Sequence, residues 1–308
     1  MSTVDGDILS ICANCGKGEE ESDKLKSCMA CKMVKYCNRD CQIAHRPQHK
    51  KECKKRAAEL HDENEKLFKQ PPPLHEDCPI CFLRLPTLHS GYRYQSCCGK
   101  VICSGCIHAP IYDNQGNEVD NEKCPFCRIP FHDSKEELLE RLNKRMQTDD
   151  PIAIFNHGVS YRDGTCGFPQ NNDKAFELWH RAAELGRSDA YANIGYAYDV
   201  GKGVEVDKKK AIHYYELAAI GGDTQARNNL GYWEVKAGNF DRALKHWIIA
   251  VGGGSSKSLK DIQTMYSNGD ATKEDYTKAL QIYQEYLGEI KSKQRDEAAA
   301  FDSRYRYY

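Results

Sequence analysis

Fifteen of the sixteen cysteines fall before residue 128, in two clusters, and Cys166 stands alone beyond them. That distribution constrains the chain more than any other feature. Thiols packed so densely form either a disulfide framework or metal sites, and the compartment decides between them. The stretch Met1 to Ser10 holds Asp5 and Asp7 and no basic segment ahead of an apolar core, so a secretory signal is not expected. No run of about 18 apolar residues suggests a membrane span. The expected location is therefore the reducing cytoplasm or nucleus, where metal binding accounts for the thiols better than disulfides do.

In the first cluster the spacing is Cys12-x2-Cys15, Cys28-x2-Cys31, Cys37-x3-Cys41 and His49-x3-Cys53. An x2 pair suits a tight turn with both sulfurs on one ion. An x3 pair suits one helical turn, since i and i+4 share a face. Eight ligands make two closed tetrahedral zinc sites, with no open position for hydrolytic chemistry. His49 completes an x3 pair with Cys53, so His45 is read as a packing neighbour. Pro47 argues against one unbroken helix through this stretch and suits the first turn of a second one.

The seven cysteines, His49, Tyr36 and Gln42 resemble a MYND zinc finger over residues 12–53. Spacing alone does not choose between consecutive and interleaved pairing of the ligands. The resemblance implies interleaving: Cys12, Cys15, Cys37 and Cys41 on one ion, and Cys28, Cys31, His49 and Cys53 on the other. Some members of that family bind proline-containing peptides between a glutamine and a tryptophan. Gln42 matches the first, and Arg46 stands where the tryptophan usually sits.

The second cluster reads Cys78-x2-Cys81, Cys97-Cys98, Cys103-x2-Cys106 and Cys124-x2-Cys127, again eight donors for two ions. The phrases Cys78-Pro79-Ile80-Cys81, Cys98-Gly99-Lys100-Val101-Ile102-Cys103 and Cys124-Pro125-Phe126-Cys127-Arg128 resemble an all-cysteine RING finger over 78–128. The resemblance implies one ion on Cys78, Cys81, Cys103 and Cys106, and another on Cys97, Cys98, Cys124 and Cys127. Lys100 occupies the place of the usual histidine ligand. Cys97 is the natural replacement, with His89 and His108 as outside substitutes. RING ligases use no covalent intermediate; they dock a ubiquitin-conjugating enzyme and orient its thioester. Ile80, Pro125 and Arg128 match that docking surface, which makes the conjugating enzyme and a protein substrate the implied partners. The tryptophan often found between the sixth and seventh ligands is missing; Ile107, Ile111 or Tyr112 could supply apolar area.

Between the clusters, residues 54–77 combine a charged helical segment, with Leu60 and Leu67 seven apart, and the stop Pro71-Pro72-Pro73. Ser134 to Glu137 is a capping-box signature, followed by Leu138, Leu142 and Met146, so a connecting helix is expected over 134–148.

Residues 150–287 repeat. Ala175, Ala211, Ala243 and Ala279 are each followed four residues later by an aromatic: Trp179, Tyr215, Trp247 and Tyr283. Ala153, Ala190 and Ala226 are each followed five residues later by Gly158, Gly195 and Gly231. Small residues let paired helices approach, aromatics fill the groove, and neighbouring pairs must stack to bury their faces. The pattern resembles Sel-one-like repeats, relatives of the tetratricopeptide repeat. It implies four helix pairs in a curved array that grips a protein partner. Cys166 reads as a free thiol in a loop, and 288–308 as a tail with a disordered end.

The expected fold is thus multidomain: two small zinc-stabilised modules, a MYND finger and a RING finger, followed by an all-α helical-repeat solenoid. A net charge of −1 argues against nucleic acid as the main partner. No phosphate-binding loop, nucleophile elbow or His-Glu-x-x-His motif is present, so no catalytic residue is assigned. The expectation is a RING-type ubiquitin-protein ligase or ligase subunit with four zinc ions. A non-enzymatic adaptor is the alternative.

Overall fold

The computed structural model describes residues 11–18, 25–73, 76–109, 122–131 and 134–308. Ile111 and Tyr112, named above as sources of apolar area, lie outside them, as does the leader before Ile11. The chain divides into two compact units, residues 1–69 and 70–308.

In the first unit, β1 (Lys26–Ser27) pairs antiparallel with β2 (Lys35–Tyr36), with Lys26 opposite Tyr36. The turn between them carries Cys28 and Cys31. A single helix, α1, then runs over Arg39–Phe68 with Asn38 as its cap, whose side chain accepts from the Cys41 N–H. This differs from the break expected at Pro47. A proline inside a helix removes one hydrogen bond and crowds the preceding turn. Here Pro47 and Ile43 are both exposed, where water can satisfy the carbonyl that proline leaves without its partner, and metal-ligating side chains lie on both sides of that turn. The charged segment expected to be helical after Cys53 is the second half of α1, which ends at Phe68.

The second unit begins with the other cysteine module. Its frame is a hairpin, β3 (Tyr92–Gln95) antiparallel to β4 (Lys100–Cys103), with Gln95 opposite Lys100, followed by the short α2 (Ser104–His108). Ile102, Leu85 and the thiols form its core. Then comes α3 (Lys135–Gln147), capped by Ser134, whose hydroxyl accepts from the Glu137 N–H. The Glu137 carboxylate pairs with Arg141.

The array is built from α4 (Pro151–Asp163), α5 (Asn172–Glu184), α6 (Ser188–Val200), α7 (Lys208–Ile220), α8 (Thr224–Lys236), α9 (Phe240–Gly252), α10 (Ser256–Asn268) and α11 (Lys273–Ile290). Sequence-adjacent helices pack against one another, and the repeated alanines and aromatics are their buried seam. The glycines show why: a Cβ on Gly158 would lie 2.6 Å from the Trp179 indole nitrogen, and one on Gly231 would lie 2.2 Å from that of Trp247. Asp150, Asn171, Asp207 and Asp223 cap α4, α5, α7 and α8 with their side chains.

The expected disordered end is folded. Residues Lys293–Phe301 form α12, and Tyr307 behind it is buried with Tyr286 and Ile290. This last segment packs on the second cysteine module. Helix α12 lies against α2, and the Thr87 N–H donates 2.9 Å to the Tyr286 hydroxyl. The other end of the array touches the same module. The Tyr94 hydroxyl donates 2.7 Å to Asp150, and Arg145 donates to the carbonyls of Ser96 (3.2 Å) and Cys97 (2.8 Å). Sequence spacing carries no trace of that closure, because it joins residues some 200 positions apart.

Candidate metal centres and a partner groove

Four of the five x2 pairs sit in the same local structure. The N–H of the residue after the second cysteine returns to the carbonyl of the first, and that residue takes a left-handed conformation: Gly16, Lys32, Phe82 and Arg128, with φ of 75°, 56°, 57° and 61°. The turn leaves both sulfurs on one side. The x3 pair Cys37 and Cys41 straddles the start of α1, and His49 and Cys53 lie one turn apart within it. Cys103 caps α2, its sulfur accepting from the Cys106 N–H at 3.4 Å.

Adjacent Cys97 and Cys98 need a bend to reach one ion. The β3–β4 loop supplies it: the Gly99 N–H returns 2.8 Å to the Gln95 carbonyl, with Gly99 at φ 71°. A side chain there would meet Asp150 and Arg145, so glycine serves both conformation and space. Lys100 is exposed at the start of β4. His89 bonds the Tyr92 hydroxyl, and the His108 ring lies tilted against Phe301. His45 bonds the Tyr36 hydroxyl at 3.1 Å and stacks beside His49.

The structure brings pairs one and three together in each module, and pairs two and four. The groups are Cys12, Cys15, Cys37, Cys41; Cys28, Cys31, His49, Cys53; Cys78, Cys81, Cys103, Cys106; and Cys97, Cys98, Cys124, Cys127. Within each, all donor atoms lie within 4.8 Å of one another. Consecutive pairing, left open by spacing, is not the arrangement. Sulfur–sulfur distances are 3.6 Å (Cys15–Cys37), 3.5 Å (Cys37–Cys41), 3.7 Å (Cys28–Cys53), 3.8 Å (Cys81–Cys103), 3.9 Å (Cys98–Cys124) and 3.5 Å (Cys97–Cys127). A tetrahedron with Zn–S bonds of about 2.3 Å has edges of about 3.8 Å. A disulfide needs about 2.05 Å. The four clusters therefore fit zinc, which these donor sets bind as closed structural sites.

Crowding sets the protonation of the metal-free thiols. Cys37 is pushed up to about 12, first by its contact with Cys41, and Cys53 to about 12, first by burial and then by Cys28. Burial pushes Cys98 up to about 11. A divalent cation removes the reason to keep those protons, so metal uptake releases them.

The docking candidates lie at the surface of the second module. Ile80 is 36% exposed between its two ligands, Arg128 is exposed, and Pro125 is half-buried. Phe82 and Phe126 extend the apolar surface of the same two loops.

A second candidate site was not legible in the sequence. Between α6 and α8 lies a groove of about 430 Å³, lined among others by Asn193, Tyr196, Asn229, Tyr232, Trp233 and Lys236. Lysines stand over its rings: Lys202 5.4 Å from the Tyr196 centroid, Lys208 and Lys236 on Trp233, and Lys257 5.1 Å from Tyr232. Asn193 and Asn229 recur at the repeat spacing, a hint the aromatic pattern overshadowed. Among the described residues, no helix is long and apolar enough to cross a membrane.

Comparison with known proteins agrees with this division. A MYND finger model matches residues 12–53, and a Sel1 repeat model matches 151–186, 188–223 and 264–285. A 69-residue stretch is 41% identical to the ERAD-associated E3 ubiquitin-protein ligase component HRD3B of Arabidopsis thaliana, covering 22% of this chain and 11% of that protein. A 55-residue stretch is 38% identical to the E3 ubiquitin-protein ligase DA2 of the same plant, covering 18% and 12%. The chain thus spans about a tenth of the length of these curated relatives. Among solved structures, a Sel1 repeat protein from Oxalobacter formigenes is 29% identical with a TM-score of 0.44, covering 49% of this chain and 64% of that one. Residues 12–53 are a MYND zinc finger, and residues 151–285 carry Sel1 repeats.

Proposed function

We propose that the chain is a zinc-dependent ubiquitin-protein ligase of the RING type, or a subunit of one, with the repeats recruiting the protein to be modified. The observation that carries this reading is the second module. It combines two interleaved four-thiol clusters with Ile80, Pro125 and Arg128 at the surface of its first and last knuckles. The names of the relatives above support the same direction over short stretches. Such a module supplies no nucleophile. It holds a conjugating enzyme and its ubiquitin thioester in a reactive pose, an effect of orientation. Zinc keeps the two loops in register, Ile80 and Pro125 supply apolar contact, and the Arg128 guanidinium donates to carbonyl or carboxylate oxygens across the interface.

The test is discharge of ubiquitin from a panel of loaded conjugating enzymes to free lysine. The zinc-loaded chain accelerates discharge with at least one of them. Ile80→Ala and Arg128→Ala each lower the rate about tenfold or more, as loss of an interface hot spot does. No acceleration with any conjugating enzyme would overturn the reading.

The alternative is a non-enzymatic adaptor. The groove favours it, since aromatic rings, amides and lysines are binding equipment that needs no ligase module. A partner held by the array, with no discharge by the same preparation, would select it.

A further inference from the structure

Arg295, in the first turn of α12, is fully buried. A guanidinium loses much hydration energy on burial and needs acceptors in return. Its acceptors are unusual. Nη1 donates to the carbonyls of Ile290 (2.6 Å) and Arg84 (2.8 Å). Nη2 faces the Leu83 carbonyl at 3.5 Å and the Cys81 sulfur at 3.9 Å. Its Nε meets no acceptor, and no carboxylate pairs with it among the described residues. The charge has its counterpart in the metal cluster. Four thiolates around one divalent cation carry a formal charge of −2.

Two further contacts point the same way. Leu83 and Arg84 directly follow the Cys78–Cys81 knuckle, so the fork grips the backbone that sets that pair. The side-chain amide of Gln294 lies 4.0 Å from the Cys106 sulfur, in the other pair of the same site, where its NH2 group, once the amide is turned, donates to the zinc-bound thiolate. Close approach is secured by Gly105 in α2, where a Cβ would lie 2.8 Å from the Arg295 backbone nitrogen and 2.9 Å from its Cγ.

We propose that Arg295 is a positioning residue for the zinc site of Cys78, Cys81, Cys103 and Cys106. Helix α12, which follows the array, supplies the cation that offsets the charge of that site and the donors that fix its first knuckle. A module placed before the repeats in sequence thereby retains its metal through the segment that follows them. Residues that orient or neutralise metal ligands typically change metal affinity about 10- to 100-fold. The inference depends on zinc in the second module and not on ligase activity.

The test uses the full zinc-loaded chain, with zinc release to excess EDTA followed by a chromogenic indicator. In Arg295→Met, one zinc of the four leaves about 10- to 100-fold faster and three keep their wild-type rates. Arg295→Lys retains the charge without the fork and falls between. Gly105→Ala, in the helical turn between the ligands Cys103 and Cys106 with its added carbon facing Arg295, undocks α12 and reproduces the Arg295→Met release. In the cobalt-substituted protein, loss of the positive charge shifts the sulfur-to-cobalt charge-transfer band of one site to longer wavelength, and Arg295→Lys restores it. Wild-type release in Arg295→Met would overturn the proposal. So would equal acceleration of all four zincs, which marks general loosening. If Arg295→Met does not fold, Gly105→Ala decides by the same criteria.

Discussion

Arg128 carries two properties that can be separated. Its backbone lies at φ 61°, a conformation that costs an ordinary residue on the order of 1 kcal/mol and glycine nothing. Its side chain is exposed beside the last ligand. Arg128→Gly should therefore retain four zincs and match or exceed wild-type stability, while losing discharge activity as fully as Arg128→Ala. Activity in Arg128→Gly would show that the knuckle backbone and not the guanidinium matters. Asp223 is a different case. Its carboxylate caps α8 yet is buried, and burial raises it to about 7 from an ordinary 3.8. Between about pH 4 and 7 the folded chain then binds a proton that the unfolded chain does not. This group therefore adds stability as pH falls from 8 towards 5. Asp223→Asn keeps a capping oxygen and cannot ionise. It should be more stable than wild type at pH 8, by on the order of a few kcal/mol, with the gap closing by about pH 5. Helical melting at the two pH values checks it, and a gap that does not change with pH contradicts it.

Helices α4 to α9 were legible because one small residue and one aromatic recur on each pair, and those residues are the seam. Gly231→Ala tests that reading. The added carbon would displace the Trp247 indole, whose N–H donates 3.1 Å to the Asn228 carbonyl. The array should lose about 1–3 kcal/mol, as overpacked cores do. Denaturant unfolding followed by helical signal measures the loss, and an unchanged midpoint would mean the pair is looser than the contact distances imply. Helix α1 was only half legible. Proline is a local signal, and it lost to the metal ligands on either side, Cys41 before it and His49 and Cys53 after it. The groove between α6 and α8 was invisible for another reason. Its residues lie on the faces of helices that the core does not use, where no periodic constraint marks them.

At the scale of the molecule, ligand residues were legible one by one because zinc dictates spacing; spacing left their pairing open, and the interleaving that the family resemblances implied is the one the fold shows. Docking of the second module on both ends of the array had no sequence signature. It changes what metal removal does. Treated as independent parts, the fingers would melt and the helices would remain. With Arg295, Tyr286 and Arg145 tied to the module, chelation should also loosen α12 and the end of α11. Hydrogen exchange before and after EDTA should therefore show protection lost over residues 286–301 and kept over 172–251. Exchange unchanged at 286–301 would mean the contacts there do not depend on the metal. The most direct test of the whole account is the amount of zinc bound per chain, read by elemental analysis together with native mass of the reduced protein. Four zinc ions per chain is the predicted result. Two or fewer would mean that at least one of the paired modules is not the metal-built structure described, and would contradict the account.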